Sequence, residues 1–419
     1  MKYLEVGLIC LLRVNEAILI IDKCMIYYKN KSIAGWFVFI NTLFITHGVL
    51  SALDALYSLL LVLIIGISLL YVYKVNSEYG SSHFIRSLNL FILLITLYGI
   101  YNIMNPIMST FFVVPDYRPY TYITNAYRPL LQIYPLYYFA RKGYIDEDVV
   151  KSWVVPSFIV VGVAYYVNSM KTMTLSTLSD VEQTSNVGYL VVSLFPLLFF
   201  LKKDILKYIL LAFAIFFVFI CAKRGAMVIA GISTLCFLYF DFNSSKASSK
   251  FKIVVLTIII GLILYRYLYA IFEESYYLNY LLEKTQSGDS SGRDDLFTKA
   301  WIQFSEKSSF VNFIFGNGAD STYSILGNRA HNDWLELLIN QGLIGVLIYA
   351  YLWIQIVKLW LKSKTNRFMY IVFGLIVTSF FMKTMFSMLY NDLSSIACLP
   401  FAWCVASIDK QQRVVRRKS

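Results

Sequence analysis

Long apolar runs recur along this chain, separated by short connections rich in lysine and arginine. A helix needs about 20 mostly apolar residues to cross the hydrocarbon of a bilayer. Within lipid, every backbone N–H and C=O must be satisfied inside its own segment, which selects helices. The runs near 33–50, 55–73, 84–104, 128–140, 153–168, 187–201, 207–222, 226–240, 253–271, 342–361, 368–390 and 393–408 therefore predict about 12 transmembrane helices. The stretch 4–21 is a further span or an interfacial helix. Composition excludes the alternative: 58% of residues are hydrophobic and only 15% charged, where a soluble domain carries about 25% charged residues. The expected fold is all-α, one polytopic helical bundle over 1–419.

The formal charge of +12 would point to nucleic acid in a soluble protein. Here its placement reports topology instead, and no nucleic-acid partner is expected. The connections Asp22–Ser32, Lys74–Arg86, Arg141–Lys151, Lys202–Lys207, Lys246–Lys252, Lys358–Arg367 and the tail Asp409–Ser419 are basic and alternate in register. The positive-inside rule places them, with the C-terminus, on the cytoplasmic side. The segments near 105–127, 168–186, 222–225 and 272–330 are then external. The last is a large loop with eight acidic and five basic residues, and loops of that length usually carry function. Met1–Ile21 lacks a clean apolar core and carries Glu5, Arg13 and Glu16, so insertion is expected to rely on internal spans.

Cys10, Cys24, Cys221, Cys236, Cys398 and Cys404 lie in or beside apolar runs without a CxxC pair. They read as small apolar residues. With only three histidines, neither a metal nor another cofactor is expected.

The segment richest in chemistry is Phe315-Gly316-Asn317-Gly318, then Arg329-Ala330-His331-Asn332-Asp333-Trp334-Leu335-Glu336, then Gln341-Gly342-Leu343-Ile344-Gly345, which opens a span. Gly316 and Gly318 permit a tight turn. Asn332 and Asp333 can start a helix, with Glu336 in its first turn. That sets His331 at a helix start on the outer boundary, beside Arg329. A helix N-terminus and a nearby cation both favour neutral imidazole, the form that accepts a proton. A lone histidine there could equally cap the helix or touch headgroups.

Lys223 and Arg224 interrupt two apolar spans on the same external side. Two adjacent cations in a tight hairpin suit a phosphate, arginine as a planar fork and lysine as a point charge. Snorkelling toward headgroups is the competing reading. Arg293 opens an amphipathic stretch, Leu296–Phe304, within the large loop. Arg128, Asn186, Lys171 and Asp392 are weaker candidates, and Lys383 inside an apolar run needs a partner or an aqueous cavity. Tyr117, Tyr120, Tyr122 and Tyr127 suit an interfacial aromatic belt.

Taken in order, these pieces resemble the O-antigen ligase/polymerase superfamily of bacterial envelope glycosyltransferases. The resemblance rests on Asn186-Val187-Gly188-Tyr189, Lys223-Arg224-Gly225-Ala226, Ser291-Gly292-Arg293, Gly316-Asn317-Gly318 and His331-Asn332-Asp333-Trp334-Leu335-Glu336 with Gly342 and Gly345. It covers roughly 180–360 by motif and the rest by span pattern. Lys223 stands where many members have a small or hydroxyl residue.

Within that superfamily the chain is most similar to Wzy-type polysaccharide polymerases. The resemblance implies a metal-independent fold of the GT-C type, with the 272–330 loop periplasmic and the chain in the bacterial inner membrane. It implies joining of oligosaccharide units carried on undecaprenyl diphosphate. A chain-length regulator and a flippase of the same pathway are the implied protein partners. Arg224 and Arg293 would stabilise charge on the departing diphosphate, and His331 would orient or deprotonate the acceptor hydroxyl. Lys223, Asn332, Glu336, Arg329, Arg128 and Asn186 would contact substrate. Two alternatives stand beside this one. A ligase moving glycan to lipid A core shares the same residues. A multi-pass flippase or transporter fits the span count, although no paired broken helices at corresponding places in two halves are evident.

Overall fold

The computed structural model describes residues 30–42, 44, 54–104, 120–175, 186–202, 204–221, 223–245, 247–274, 293–391 and 395–418. The 4–21 stretch, Cys10, Cys24, Tyr117, Ser291, Gly292 and Asp392 lie outside them, as do the side chains of Lys171 and Arg293. Regular structure among the described residues is helical, with no strand. Six helices are long and apolar enough to cross a membrane: Ser58–Tyr79, His83–Met104, Glu147–Tyr166, Arg224–Ser244, Asp333–Thr365 and Arg367–Phe386. This is the architecture of a multi-pass helical membrane protein.

Other expected spans are built differently. The 128–140 run divides at Gln132 into Thr121–Leu131 and Ile133–Lys142, with Pro129 inside the first helix. Proline removes a backbone donor and shortens helices. The 187–201 run becomes Val187–Val192 followed by a tighter 3₁₀ turn, Phe195–Phe200, that carries Pro196 near its start. The 207–222 run is the 17-residue helix Asp204–Ile220. The run 253–271 lies within Ala247–Glu274, and the described part of the run 393–408, from 395 on, lies within Ser395–Lys418. In the loop, the amphipathic stretch forms a helix that starts at Arg293 and widens after Ile302 into a π turn, Gln303–Lys307.

Helices in lipid gain no hydrophobic drive from meeting each other, so close packing and polar ties hold them. The Ile133–Lys142 helix packs against both Asp54–Tyr79 and Ser395–Lys418, burying Tyr134, Tyr137 and Phe139. The Tyr71 and Phe139 rings meet edge-on at 4.8 Å. Basic connections meet at one end of the bundle. Lys142 pairs with Glu78 at 2.7 Å, and Asp409 accepts from Ser82 at 2.7 Å and Tyr137 at 2.8 Å. The Arg367 guanidinium donates to the Asn243 carbonyl. The four described cysteines are free thiols.

Deeper in the protein, Asp241 accepts from Lys207 Nζ and from the Tyr208 hydroxyl, each at 2.8 Å, and all three are buried. A buried pair is a weak source of net stability, yet removing one member strands the other. Asp241→Ala is therefore expected to lower unfolding stability by about 3–5 kcal/mol. Thermal unfolding in detergent measures this, and a variant as stable as wild type refutes it.

One helix is broken. Within Asp333–Lys362, Gly342 has φ 65° and ψ −159°. In one straight helix Asp333 and Tyr349 would stand about 24 Å apart. Instead the Tyr349 hydroxyl donates to Asp333 Oδ2 at 2.7 Å, and the Trp334 and Tyr349 rings lie 5.1 Å apart. The piece from Asp333 to Gln341 thus folds back along the piece beyond Gly342. Gly345 permits the close approach, since a Cβ there would stand 2.5 Å from Gln341 Cβ. The remainder, 343–362, is still about 30 Å long, enough to span hydrocarbon.

The break frees the carbonyls of Ile339 and Asn340, which residues 343 and 344 would otherwise cap. The turn at Gly316–Gly318 takes them: Asn317 N donates to Ile339 O at 2.9 Å and Gly318 N to Asn340 O at 3.0 Å. Gly316 itself has φ 77°.

Candidate active site at one helix end

The Arg367–Phe386 helix starts at Asn366, whose side chain accepts from Met369 N at 3.1 Å. It ends about 30 Å away, where its last carbonyls need partners. Two motif-bearing segments supply them. Asn332 Nδ2 donates to Met385 O at 3.2 Å, and the Tyr189 hydroxyl donates to Phe386 O at 3.1 Å. The following turn is held by the same neighbours. Leu389 N donates to both Asp333 carboxylate oxygens, at 3.0 and 3.1 Å. Arg128 Nη2 donates to Asn391 O at 3.3 Å, and Arg329 Nη1 lies 3.9 Å from Met388 Sδ.

On one side of this helix end sits the basic hairpin. Lys223 is the extended N-cap residue and Arg224 the first residue of Arg224–Ser244, with no side-chain cap bond. Gly225 is pressed against Tyr189 and Phe386: a Cβ there would overlap the Tyr189 hydroxyl and stand 3.1 Å from Phe386 O. Gly188 faces Ala226 and Cys221 less tightly, at 3.1 and 3.2 Å from a Cβ placed there. The Asn186–Tyr189 motif and the arginine hairpin therefore form one packed unit. Asn186 itself is exposed, at the start of Val187–Val192. Lys383, one turn before the helix end, is buried with its ammonium 5.5 Å from the Tyr189 ring centre.

On the other side lies the histidine loop. His331 is half-buried with φ 51°, a conformation that non-glycine residues rarely adopt and that strain-bearing sites often hold. Its neighbours fix it. Asn332 Oδ1 accepts from Trp334 N at 2.9 Å and Leu335 N at 3.1 Å as the N-cap. Glu336 is fully buried and accepts from Ala330 N at 2.8 Å, Thr322 Oγ1 at 2.7 Å and Asn340 Nδ2 at 3.2 Å. Trp334 Nε1 reaches Thr384 Oγ1 at 3.0 Å. Asn332 and Glu336, expected to contact substrate, thus have side-chain polar atoms engaged inside the protein and act as organisers of the loop. Removing the cap in Asn332→Ala is expected to cost about 1 kcal/mol of stability or more, read by thermal unfolding. An unchanged midpoint contradicts that role.

Arg329 Nε donates to the Tyr323 hydroxyl at 2.8 Å, with the Asp320 carboxylate at 4.0 Å. Burial opposes its charge, but Asp320, followed by Tyr323 and Glu336, holds its pKa above the usual arginine value. This guanidinium stays a cation at every relevant pH.

Arg224, Lys223, His331, Asn332, Arg329 and Arg128 all belong to segments that meet the 385–391 stretch. Arg293 joins less directly: Ala300, two turns along its helix, packs with Leu326, Ala330 and Ile339. Among the described residues no three His, Cys, Asp or Glu side chains gather to hold a metal ion. A cavity of about 630 Å³ lies beside the Gly316–Gly318 turn, lined by Tyr98, Tyr101, Gln303, Asn312, Asn317 and Ser321 among others. It contains neither His331 nor Arg224.

The sequence reading missed the 385–391 stretch and the Asp333–Tyr349 bond. Ser387-Met388-Leu389-Tyr390-Asn391 is apolar enough to read as more span, and only its two polar ends hint at a turn. Neither a scan against protein-family models nor a search of curated proteins returns a match for this chain.

Proposed function

We propose that this chain is a polysaccharide polymerase of the O-antigen ligase/polymerase type, a glycosyltransferase with about twelve spans in a bacterial inner membrane. It joins oligosaccharide units carried on undecaprenyl diphosphate at the periplasmic face. One observation carries this reading: Tyr189, against which Gly225 of the arginine hairpin packs, and Asn332 of the histidine loop donate to adjacent carbonyls at one helix end, bringing together segments 107 positions apart in the chain.

Departure of the glycan from its carrier leaves negative charge on the diphosphate. Arg224 and Lys223 stand at a helix N-terminus without a side-chain cap, where backbone dipoles add to their attraction for an anion. Charges fixed in a partly dry site stabilise the leaving group without reorganising during reaction. His331 accepts the proton of the acceptor hydroxyl as that oxygen attacks the anomeric carbon. Arg293, at the head of the helix that packs on the histidine loop, supplies further positive charge. The side chains provide the cations, so metal chelation should leave the activity unchanged.

The test is elongation of undecaprenyl-diphosphate-linked oligosaccharide by purified protein in detergent, with no vesicle present. Longer lipid-linked glycan is the expected product. Absence of elongation, combined with movement of the same substrate across proteoliposomes, would replace this reading with a transporter. In cells, a deletion strain that caps its core with a single unit supports polymerase. Bare core with accumulated lipid-linked polymer assigns the ligase instead.

A further inference from the structure

The cavity beside the Gly316–Gly318 turn has two unlike walls. Leu97, Tyr101, Val311 and Phe315 are each more than half exposed and form its apolar side. The other side carries Gln303, Asn312, Asn317 and Ser321, and among the described residues the lining holds no lysine, arginine, histidine, aspartate or glutamate. Asn312 Nδ2 donates to Asn317 Oδ1 at 3.0 Å, Asn317 Nδ2 to Ile339 O at 3.1 Å, and Ser321 Oγ to Asn340 Oδ1 at 2.9 Å. These bonds fix the polar wall in place. They leave the Gln303 carboxamide and Asn312 Oδ1 without a hydrogen bond among the described residues.

Geometry sets the depth of this cavity. Its Gly316 backbone abuts Gly342, which opens the 20-residue segment 343–362. On the facing helix, the Tyr98 hydroxyl donates to Phe315 O, and Tyr98 lies about 9 Å before the end at Met104. The cavity therefore straddles the boundary between hydrocarbon and headgroups on the site's side of the membrane. Its apolar wall continues the exposed face formed by Leu90, Leu93, Leu97 and Ile100 of the His83–Met104 span.

We propose that this cavity binds a membrane amphiphile whose head is uncharged and rich in hydroxyl groups. The acyl chain lies along Leu97, Tyr101, Val311 and Phe315 while the head reaches Gln303 and Asn312. An amide-lined wall satisfies hydroxyls, whereas a phosphate would find no cation among the described lining residues to compensate its lost hydration. The volume of about 630 Å³ falls in the range of small-molecule sites. The inference rests on membrane placement and not on the transfer chemistry.

The probe is glucosyl-diacylglycerol with a diazirine in one acyl chain, photolysed with the full chain in nanodiscs and mapped by peptide mass spectrometry. Label is expected on 97–101 and 311–315, undiminished by excess phosphatidylglycerol. Gln303→Ala combined with Asn312→Ala should reduce it about fivefold or more. Val311→Trp, at an exposed position that leaves folding intact, should block the apolar wall and reduce it as well. Label spread evenly over every lipid-facing helix, equal competition by phosphatidylglycerol, or indifference to both variants overturns the proposal. Equal competition by methyl glucoside does so too, because the apolar wall would then contribute nothing. A failed elongation assay leaves this labelling result intact, and the reverse also holds.

Discussion

Gly342→Ala should undo the fold-back of the histidine loop and with it most of the protein's function. Two costs act together at this position. Its φ of 65° with ψ −159° lies in a region that essentially only glycine adopts, so alanine is strained there. A Cβ would also overlap Gly316 N and stand 2.6 Å from the carbonyl carbon and oxygen of Ile314. Those are backbone atoms, so no side chain can rotate aside. Relief requires the two half-helices to part, which breaks the caps on Ile339 and Asn340 and pulls Asp333 from Tyr349 and Leu389. Gly327 is the control. Its φ of 73° and ψ of 0° lie in the left-handed helical region, which alanine enters at roughly 1–2 kcal/mol, and a Cβ there meets nothing within 4 Å, so Gly327→Ala carries only that smaller backbone cost. Thermal unfolding of the two variants side by side decides the matter: a Gly342 variant no less stable than the Gly327 variant removes the close approach from this account. Hydrogen exchange at Leu389 N, protected by the Asp333 carboxylate in the native protein, gives a local reading of the same event.

That break shows where sequence and structure part. Gly342 and Gly345 are visible in the sequence as special positions at the mouth of a span. The fold-back is not, because 332–336 reads as a helix start and Gly342 as the opening of a span, and nothing local shows that the two pieces run back along each other. Local chemistry was legible. Asn332 caps its helix as its residue type and position before an apolar run predict, and Arg224 opens a helix where two apolar runs meet. Spans with clean composition, such as 84–104, match their helices within a residue. Two runs containing proline do not, since the segments holding Pro129 and Pro196 are divided although their hydropathy alone is adequate. What no local pattern could supply is the meeting of Tyr189, Asn332, Asp333 and Arg128 on one helix end. Those contacts join residues 53 to 263 positions apart, and only tertiary packing selects them. Glu336 illustrates the same limit: a carboxylate beside a histidine suggests substrate contact, yet burial and three donors turn it inward.

His331→Ala and Arg224→Ala should each abolish polymer growth while leaving the protein inserted and folded, and their kinetics should distinguish their roles. Loss of a general base costs about 10²–10⁴ in rate, while loss of a fixed charge that stabilises a leaving group costs about 10²–10³. If His331 acts on the acceptor hydroxyl, His331→Ala should lower the maximal rate with little change in affinity for the lipid-linked donor. Arg224→Lys should restore part of the loss in Arg224→Ala, since a point charge remains while the planar fork is gone. Both side chains sit on segments fixed by neighbours: Gly225 by Tyr189 and Phe386, and Asn332 by Met385. Truncating them should therefore spare the scaffold, and unchanged thermal unfolding is the required control. Combined, the two losses should fall short of additive if both groups serve one transition state. Two folded variants that still make long-chain glycan at the wild-type rate would falsify the glycosyltransferase reading, because that reading assigns the proton acceptor to His331 and the leaving-group charge to Arg224.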